Sequence, residues 1–160
     1  RILGLESYIE ADVLSILNKK TKDLHLSIFT NFSVINGKYL TGQSFVIGKD
    51  VELLPPLNLK TGINFRWKKF KASYQFTYVG EHFSDATNAE FVSDATRGII
   101  PSYQVQDLSF SFAWNRFQFQ TGINNLTNEA YFTRRAVGYP GPGIIPSDAR
   151  SFYGTVAIKF

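Results

Sequence analysis

A chain of 160 residues is long enough for one soluble domain with a sizeable core, but the absence of cysteine excludes a disulfide framework and any thiolate nucleophile or metal ligand. The net charge of +4 would suit nucleic acid, yet the Lys and Arg residues are scattered or sit in turns without a basic stripe or binding motif, so no nucleic-acid partner is expected. No stretch approaches the roughly 20 apolar residues of a membrane-spanning helix, while 15 Phe and 8 Tyr favour strands and interfacial belts.

Methionine is absent, so the chain is expected to be a processed or truncated piece of a longer protein. Between Arg1 and Leu17 the acids Glu6, Glu10 and Asp12 interrupt any secretory-type apolar run, and export has to be inferred from other features. The mean hydropathy of -0.11 does not separate a soluble domain from a transmembrane barrel, because alternating lipid-facing and lumen-facing residues cancel in the sum.

Period-two alternation, the mark of strands with two different faces, recurs seven times. The first strand is predicted near Gly4 to Leu17, with Leu5, Ile9, Ala11 and Val13 opposite Glu6, Tyr8, Glu10 and Asp12. After a turn at Asn18 to Thr21, the second, near Lys22 to Tyr39, sets Leu24, Leu26, Ile28, Phe32 and Val34 against His25, Ser27, Asn31 and Ser33. The third sets Leu57, Leu59, Ile63, Phe65 and Trp67 against Asn58, Lys60, Asn64 and Arg66. The fourth sets Phe70, Ala72, Tyr74, Phe76 and Tyr78 against Lys71, Ser73, Gln75 and Thr77. In the fifth, Leu108, Phe110, Phe112 and Trp114 oppose Asp107, Ser109 and Ser111; in the sixth, Phe117, Phe119 and Ile123 oppose Gln118, Gln120 and Asn124. The seventh sets Phe152, Val156, Ile158 and Phe160 against Ser151, Tyr153, Thr155 and Lys159.

Residues that flank a two-residue hairpin loop pair directly and point to the same side. Trp67 and Phe70 flank Lys68-Lys69, Trp114 and Phe117 flank Asn115-Arg116, and all four belong to the apolar face. The expected fold is therefore all-β, an antiparallel up-and-down meander. A soluble sandwich or lipocalin-like barrel would show the same alternation, but the connections alternate short and long. The long ones are Thr41 to Asp50, Glu81 to Pro101 and Glu129 to Ala149, as expected of a barrel with short periplasmic turns and long exterior loops. Trp67, Phe70, Trp114 and Phe117 beside the short turns read as one level of a membrane-interface girdle. Phe160, with Phe152, Val156 and Ile158 on its face, resembles the terminal aromatic signal that hands outer-membrane proteins to the barrel assembly machinery. Seven strands are odd in number, so strands of the full barrel are expected outside this chain.

The stretch Gly122 to Phe132, reading Gly-Ile-Asn-Asn-Leu-Thr-Asn-Glu-Ala-Tyr-Phe, resembles the G-[VI]-x-N-L-x-[DN]-x-x-Y segment near the end of TonB-dependent outer-membrane receptors. Thr133 to Tyr153 is similar to the last extracellular loop and last strand of such receptors, particularly the ferric-citrate-like branch of Bacteroidetes. The likeness spans the whole chain and is most specific from Gly122 to Phe160. It implies the C-terminal seven strands of a 22-stranded transmembrane barrel, an N-terminal plug absent from this chain, opening driven through TonB, and import of a ferric chelate. Asn124, Asn125 and Asn128 suit a strand leaving the membrane, and Gly138 to Gly143 favours turns.

The chemistry of a site is sparse. His25 and His82 lie far apart without triad or metal-ligand spacing, so no enzyme, cofactor or metal site is expected. Glu81, His82, Asp85, Glu90 and Asp94 fall in one long loop but fit no regular cation loop. Arg134, Arg135 and Arg150 are the candidate ligand-binding residues, because guanidinium groups match carboxylates bidentately. The other role for them is contact with lipopolysaccharide phosphate, or bracing of the loop. Lumen-facing Glu6, Glu10, Lys60, Arg66 and Lys71 are expected to meet the plug and water. A glycan importer, or a passive porin-like or structural barrel, is the alternative function.

Overall fold

The computed structural model describes residues 1–19, 21–138, 141 and 143–160. In chain order the elements are β1 (Ile2–Asp12), a helical turn α1 (Val13–Ile16), β2 (Leu24–Gly37), β3 (Leu57–Trp67), β4 (Phe70–Val79), β5 (His82–Phe83), β6 (Ile99–Ile100), β7 (Tyr103–Trp114), β8 (Phe117–Asn124), β9 (Phe132–Ala136), β10 (Gly143–Pro146) and β11 (Ser151–Ile158). Seven of them form one antiparallel sheet in the order β1-β2-β3-β4-β7-β8-β11. The pairs β5/β6 and β9/β10 are small hairpins inside two of the long loops.

The expected meander is present, and Trp67 pairs with Phe70 and Trp114 with Phe117. Its boundaries differ in places. The first strand stops at Asp12, whose carboxylate accepts the Ser15 N–H at 3.0 Å and so caps α1. Val13 therefore leaves the apolar strand face, and the run Val-Leu-Ser-Ile-Leu no longer alternates. The expected turn at Asn18 to Thr21 includes Lys20, which lies outside the described residues. The fifth expected strand runs from Tyr103, just past the loop expected to end at Pro101, and the glycine-rich expected turn falls on residues of which Tyr139, Pro140 and Pro142 lie outside the described residues.

Register turns the alternation into continuous rows. Ala11, Ile28, Ile63, Tyr74, Leu108, Ile123 and Phe152 are successive cross-strand partners across all seven strands. The adjacent row runs Asp12, Ser27, Asn64, Ser73, Ser109, Gly122 and Tyr153. His25, Arg66, Lys71, Ser109, Gln120 and Tyr153 share a hollow of about 470 Å³ that reaches from β2 to β11. One hollow spanning strands so far apart places the polar face on the concave side of the curved sheet. The apolar face is convex and bare: Leu5 is 63% exposed, Trp114 62% and Phe152 72%.

The two tryptophans of that convex face lie with other aromatic residues in two adjacent rows beside the tight turns. Leu24, Trp67, Phe70, Phe112, Phe119 and Val156 form one, and Trp114, Phe117 and Ile158 the next. The Trp114–Phe117 and Phe117–Phe119 rings stack at 6.5 and 6.2 Å. Several polar groups on this face have partners: the Thr30 and Thr61 hydroxyls are 2.9 Å apart and the Tyr74 hydroxyl donates to Gln106 at 2.9 Å.

Among the described residues, Ile100 is the buried hydrophobic core. The chain exposes 10874 Å², against about 8,100 Å² for a folded soluble monomer of 18.1 kDa. The molecule is a wall one sheet thick.

One local device occurs twice. Thr61-Gly62-Ile63-Asn64 on β3 and Thr121-Gly122-Ile123-Asn124 on β8 have the same sequence. In each, the threonine hydroxyl donates to the backbone carbonyl of an aromatic residue on the neighbouring strand, Phe29 at 2.8 Å and Tyr153 at 2.9 Å. The aromatic ring then lies across the glycine on the concave face. A Cβ on Gly62 would meet the Tyr74 carbonyl oxygen at 2.3 Å and the Phe29 ring at 2.7 Å, whereas the nearest atoms to one on Gly122 belong to the outer end of the Tyr153 ring, at 2.6 Å. Backbone cannot step aside as a ring can. Gly62→Ala is therefore expected to destabilise the protein by about 1–3 kcal/mol and Gly122→Ala by less, which urea titration of the protein folded in detergent micelles will rank.

Candidate functional site

The three long loops leave the same end of the sheet, opposite the tight turns, and they are joined side to side. The loop after β2 docks on the loop after β4 through a reciprocal pair: the Asn88 side-chain amide donates to the Asp50 carbonyl at 2.9 Å, and the Asp50 N–H donates to Asn88 Oδ1 at 2.7 Å. The Leu53 N–H donates to the Phe83 carbonyl at 2.8 Å, and the Lys49 ammonium donates to the Thr87 carbonyl.

The loop after β4 is joined in turn to the last loop by Arg135. Its two terminal nitrogens donate to the carbonyls of Ala95 at 3.0 Å and Ile99 at 2.7 Å, and the guanidinium carbon lies 5.1 Å from the Phe132 ring centroid. The receiving turn is shaped by Asp94, which accepts the Thr96 N–H at 3.0 Å and its hydroxyl at 2.8 Å and leaves Ala95 with φ +55°. Those bonds, the backbone one foremost, hold the Asp94 carboxyl below its ordinary range. A depressed carboxylate pKa stabilises the folded turn above the unfolded value and loses that support as pH falls through the folded one. The turn is thus set at neutral pH.

The last loop is anchored at its base by Asn125, 3% exposed and with φ +53°. Its N–H donates to Asp107 at 3.0 Å, its side-chain amide donates to the carbonyls of Glu129 and Asp148 at 2.9 and 3.2 Å, and its Oδ1 accepts the Glu129 N–H at 2.8 Å. Asn128, with φ +56°, accepts the Arg150 N–H at 3.0 Å. The asparagines read as a strand exit thus form the hinge that turns the chain out of the sheet and back.

The candidate arginines do not act as one group. Neighbours on a strand point to opposite sides, and Arg135 is turned into the loop brace while Arg134 and Arg150 are exposed. Of the interface aromatics, Trp67, Trp114 and Phe117 are exposed on the convex face, and Phe70 is half-buried between Phe65 and Phe110. Phe152, Val156 and Ile158 share the convex face of β11, while Phe160 lies past its end. Glu81, Asp85, Glu90 and Asp94 do not converge with His82, and among the described residues no set of three His or carboxylate groups is arranged to hold a metal. No helix among the described residues is long and apolar enough to cross a membrane, which says nothing of strands.

Bracing of the loop was one of the two roles the sequence left open for the arginines, and Arg135 takes it; sequence reasoning missed the buried hub at Asn125 and the Thr-Gly-Ile-Asn repeat. Only the repeat had a visible sign, its recurrence 60 positions apart. Replacing Arg135 by Gln leaves the Ala95 and Ile99 carbonyls short of donors, a loss of about 1.5–3 kcal/mol. Hydrogen–deuterium exchange over 94–100 is expected to quicken by about tenfold or more in Arg135→Gln and to stay unchanged in Arg134→Gln.

No protein-family model matches the sequence, and no curated protein matches it. Solved structures do match. The unliganded ferric citrate transporter FecA superposes over 99% of this chain with TM-score 0.88 at 20% identity. The ferric yersiniabactin uptake receptor FyuA from Yersinia pestis does so over 99% with TM-score 0.75 at 16% identity, and the copper transporter OprC over 99% with TM-score 0.66 at 14% identity. The chain spans 24%, 23% and 23% of those three proteins. Of these structural neighbours, FecA and FyuA are TonB-dependent outer-membrane receptors. The chain therefore has the fold of a seven-stranded sector of their barrel wall.

Proposed function

We propose that this chain is a sector of an outer-membrane barrel that imports an anionic ferric chelate with energy delivered through TonB. The observation that carries the reading is the two-faced wall: a bare apolar convex face, a polar concave face and three interlocked loops at one end. Such a wall pairs the backbone of its inner strands from neighbour to neighbour, as a membrane barrel requires, and its two edge strands are paired only on closure of the full barrel. The likeness to FecA and FyuA supports iron as the cargo.

On this reading the tight turns face the periplasm and the loops face outward. An N-terminal plug occupies the lumen against Lys60, Arg66 and Lys71, and TonB acts on that plug. Phe152, Val156, Ile158 and Phe160 present the strand that the barrel assembly machinery receives. Arg134 and Arg150 capture the chelate, or meet lipopolysaccharide phosphate, from an exposed position, while Arg135 keeps their loop in place by its bonds to the neighbouring loop. Transport, rather than catalysis, is the chemistry available to such residues. The likeness to OprC favours a second reading, a different metal cargo on the same wall.

The test uses the full-length protein in cells lacking other routes for the same chelate. Radio-iron uptake from ferric citrate is expected, and Arg134→Gln with Arg150→Gln is expected to weaken binding by more than about tenfold at unchanged membrane abundance. Rising salt should narrow the difference. Unchanged affinity removes both arginines from the capture site, and absence of uptake by the parent protein removes iron citrate as cargo.

A further inference from the structure

The net charge of this chain is unevenly placed. At the long-loop end seven Lys and Arg stand against eight carboxylates, and within the seven strands Lys60, Arg66 and Lys71 stand against Glu6, Glu10, Asp12 and Asp107. The tight-turn end carries six described cations, Lys19, Lys22, Lys68, Lys69, Arg116 and Lys159, and in sequence also Lys20, with Asp23 as its acid. The positive excess of the whole chain, +4, therefore belongs to that end.

The cations adjoin the apolar convex face. Lys68 follows Trp67, and its ammonium lies 5.7 Å from the Trp67 ring centroid. Arg116 sits in the two-residue turn between the stacked rings of Trp114 and Phe117. Lys159 follows Ile158 and its N–H donates to the Arg116 carbonyl at 2.9 Å. Among the described residues none of the six is in an ion pair; the ion pair there is, Lys38 with Asp50, lies at the other end. Unpaired cations one residue beyond outward-facing aromatic rows sit where the phosphates of a lipid leaflet begin, since indole and phenyl rings settle at the headgroup level and Lys and Arg extend past them.

From this juxtaposition we infer that the tight-turn rim is a binding surface for anionic glycerophospholipid headgroups, which it selects over zwitterionic ones. The inference rests on the membrane-wall reading above and adds to it a lipid preference confined to one leaflet. Lys68, Lys69 and Arg116 donate to phosphate oxygens, with Lys19, Lys22 and Lys159 extending the surface along neighbouring strands. An acidic polypeptide would also meet cations, but it has no reason to lie beside exposed Trp67 and Trp114. Each cation near a charged leaflet is worth up to a factor of about five in partition.

The experiment reconstitutes the full-length protein into mixed phosphatidylcholine–phosphatidylglycerol vesicles, extracts it in mild detergent and counts retained lipids by mass spectrometry. The parent protein is expected to retain phosphatidylglycerol in excess of its share, and added salt to reduce the excess. Lys68→Gln, Lys69→Gln and Arg116→Gln together should lower the enrichment by about tenfold or more, while Lys68→Arg with Lys69→Arg should keep it. Retention at the bulk ratio by the parent, or enrichment unchanged in the triple Gln variant of normal fold, overturns the inference. So does a triple variant that keeps its lipid enrichment yet loses uptake, because the rim then meets a polypeptide. Failure of the parent to insert into vesicles at all would instead refute the membrane wall itself.

Discussion

A strand whose outward side chains meet hydrocarbon has no water to satisfy its N–H and C=O groups, so every one must find a partner along the sheet. In this chain the ladder runs without a break from β1 to β11, and the rest follows from it. Continuous pairing fixes register, register sorts each side chain to one of two faces, and curvature turns the polar face inward. Four of the polar side chains that reach the outer face are paired there, Thr30 with Thr61 and Tyr74 with Gln106. The twice-used Thr-Gly-Ile-Asn element serves the same end. Its threonine hydroxyl is absorbed by a carbonyl on the next strand, and its glycine makes room for a ring on the concave side.

At the loop end the constraint is different, because water is available and order has to come from side chains. Asn88, Arg135 and Asn125 supply it, each bonding backbone groups distant in sequence. The result is a row of loops that brace one another around a buried Ile100. Arg134 and Arg150 stand exposed on the surface so shaped. This division of labour explains why two adjacent arginines have different fates: alternation along β9 sends one into the brace and the other to solvent.

The sheet was legible in the sequence because period-two alternation is an unmediated consequence of strand geometry, and because parity across Lys68-Lys69 and Asn115-Arg116 checks each face against the next. Errors fell where local side-chain bonds override the pattern. Asp12 ends β1 by capping a helical turn, and β5, β6, β9 and β10 form inside stretches rich in turn residues. The site was less legible for the same physical reason. Whether a guanidinium faces ligand or backbone depends on carbonyls 36 and 40 residues away, which no local pattern encodes.

The claim on which the account stands is that the convex face meets lipid. Nitroxide labels placed singly in the full-length protein at Ile28, Ile63, Leu108 and Ile123, and at Ser27, Asn64 and Ser109 in the adjacent row, compare the two faces at nearly the same depth. In bilayers the first set should be relaxed strongly by dissolved oxygen and weakly by a water-soluble nickel chelate, and the second set should show the opposite. Equal access of the nickel chelate to both rows would contradict the account, because it would leave the apolar face in water.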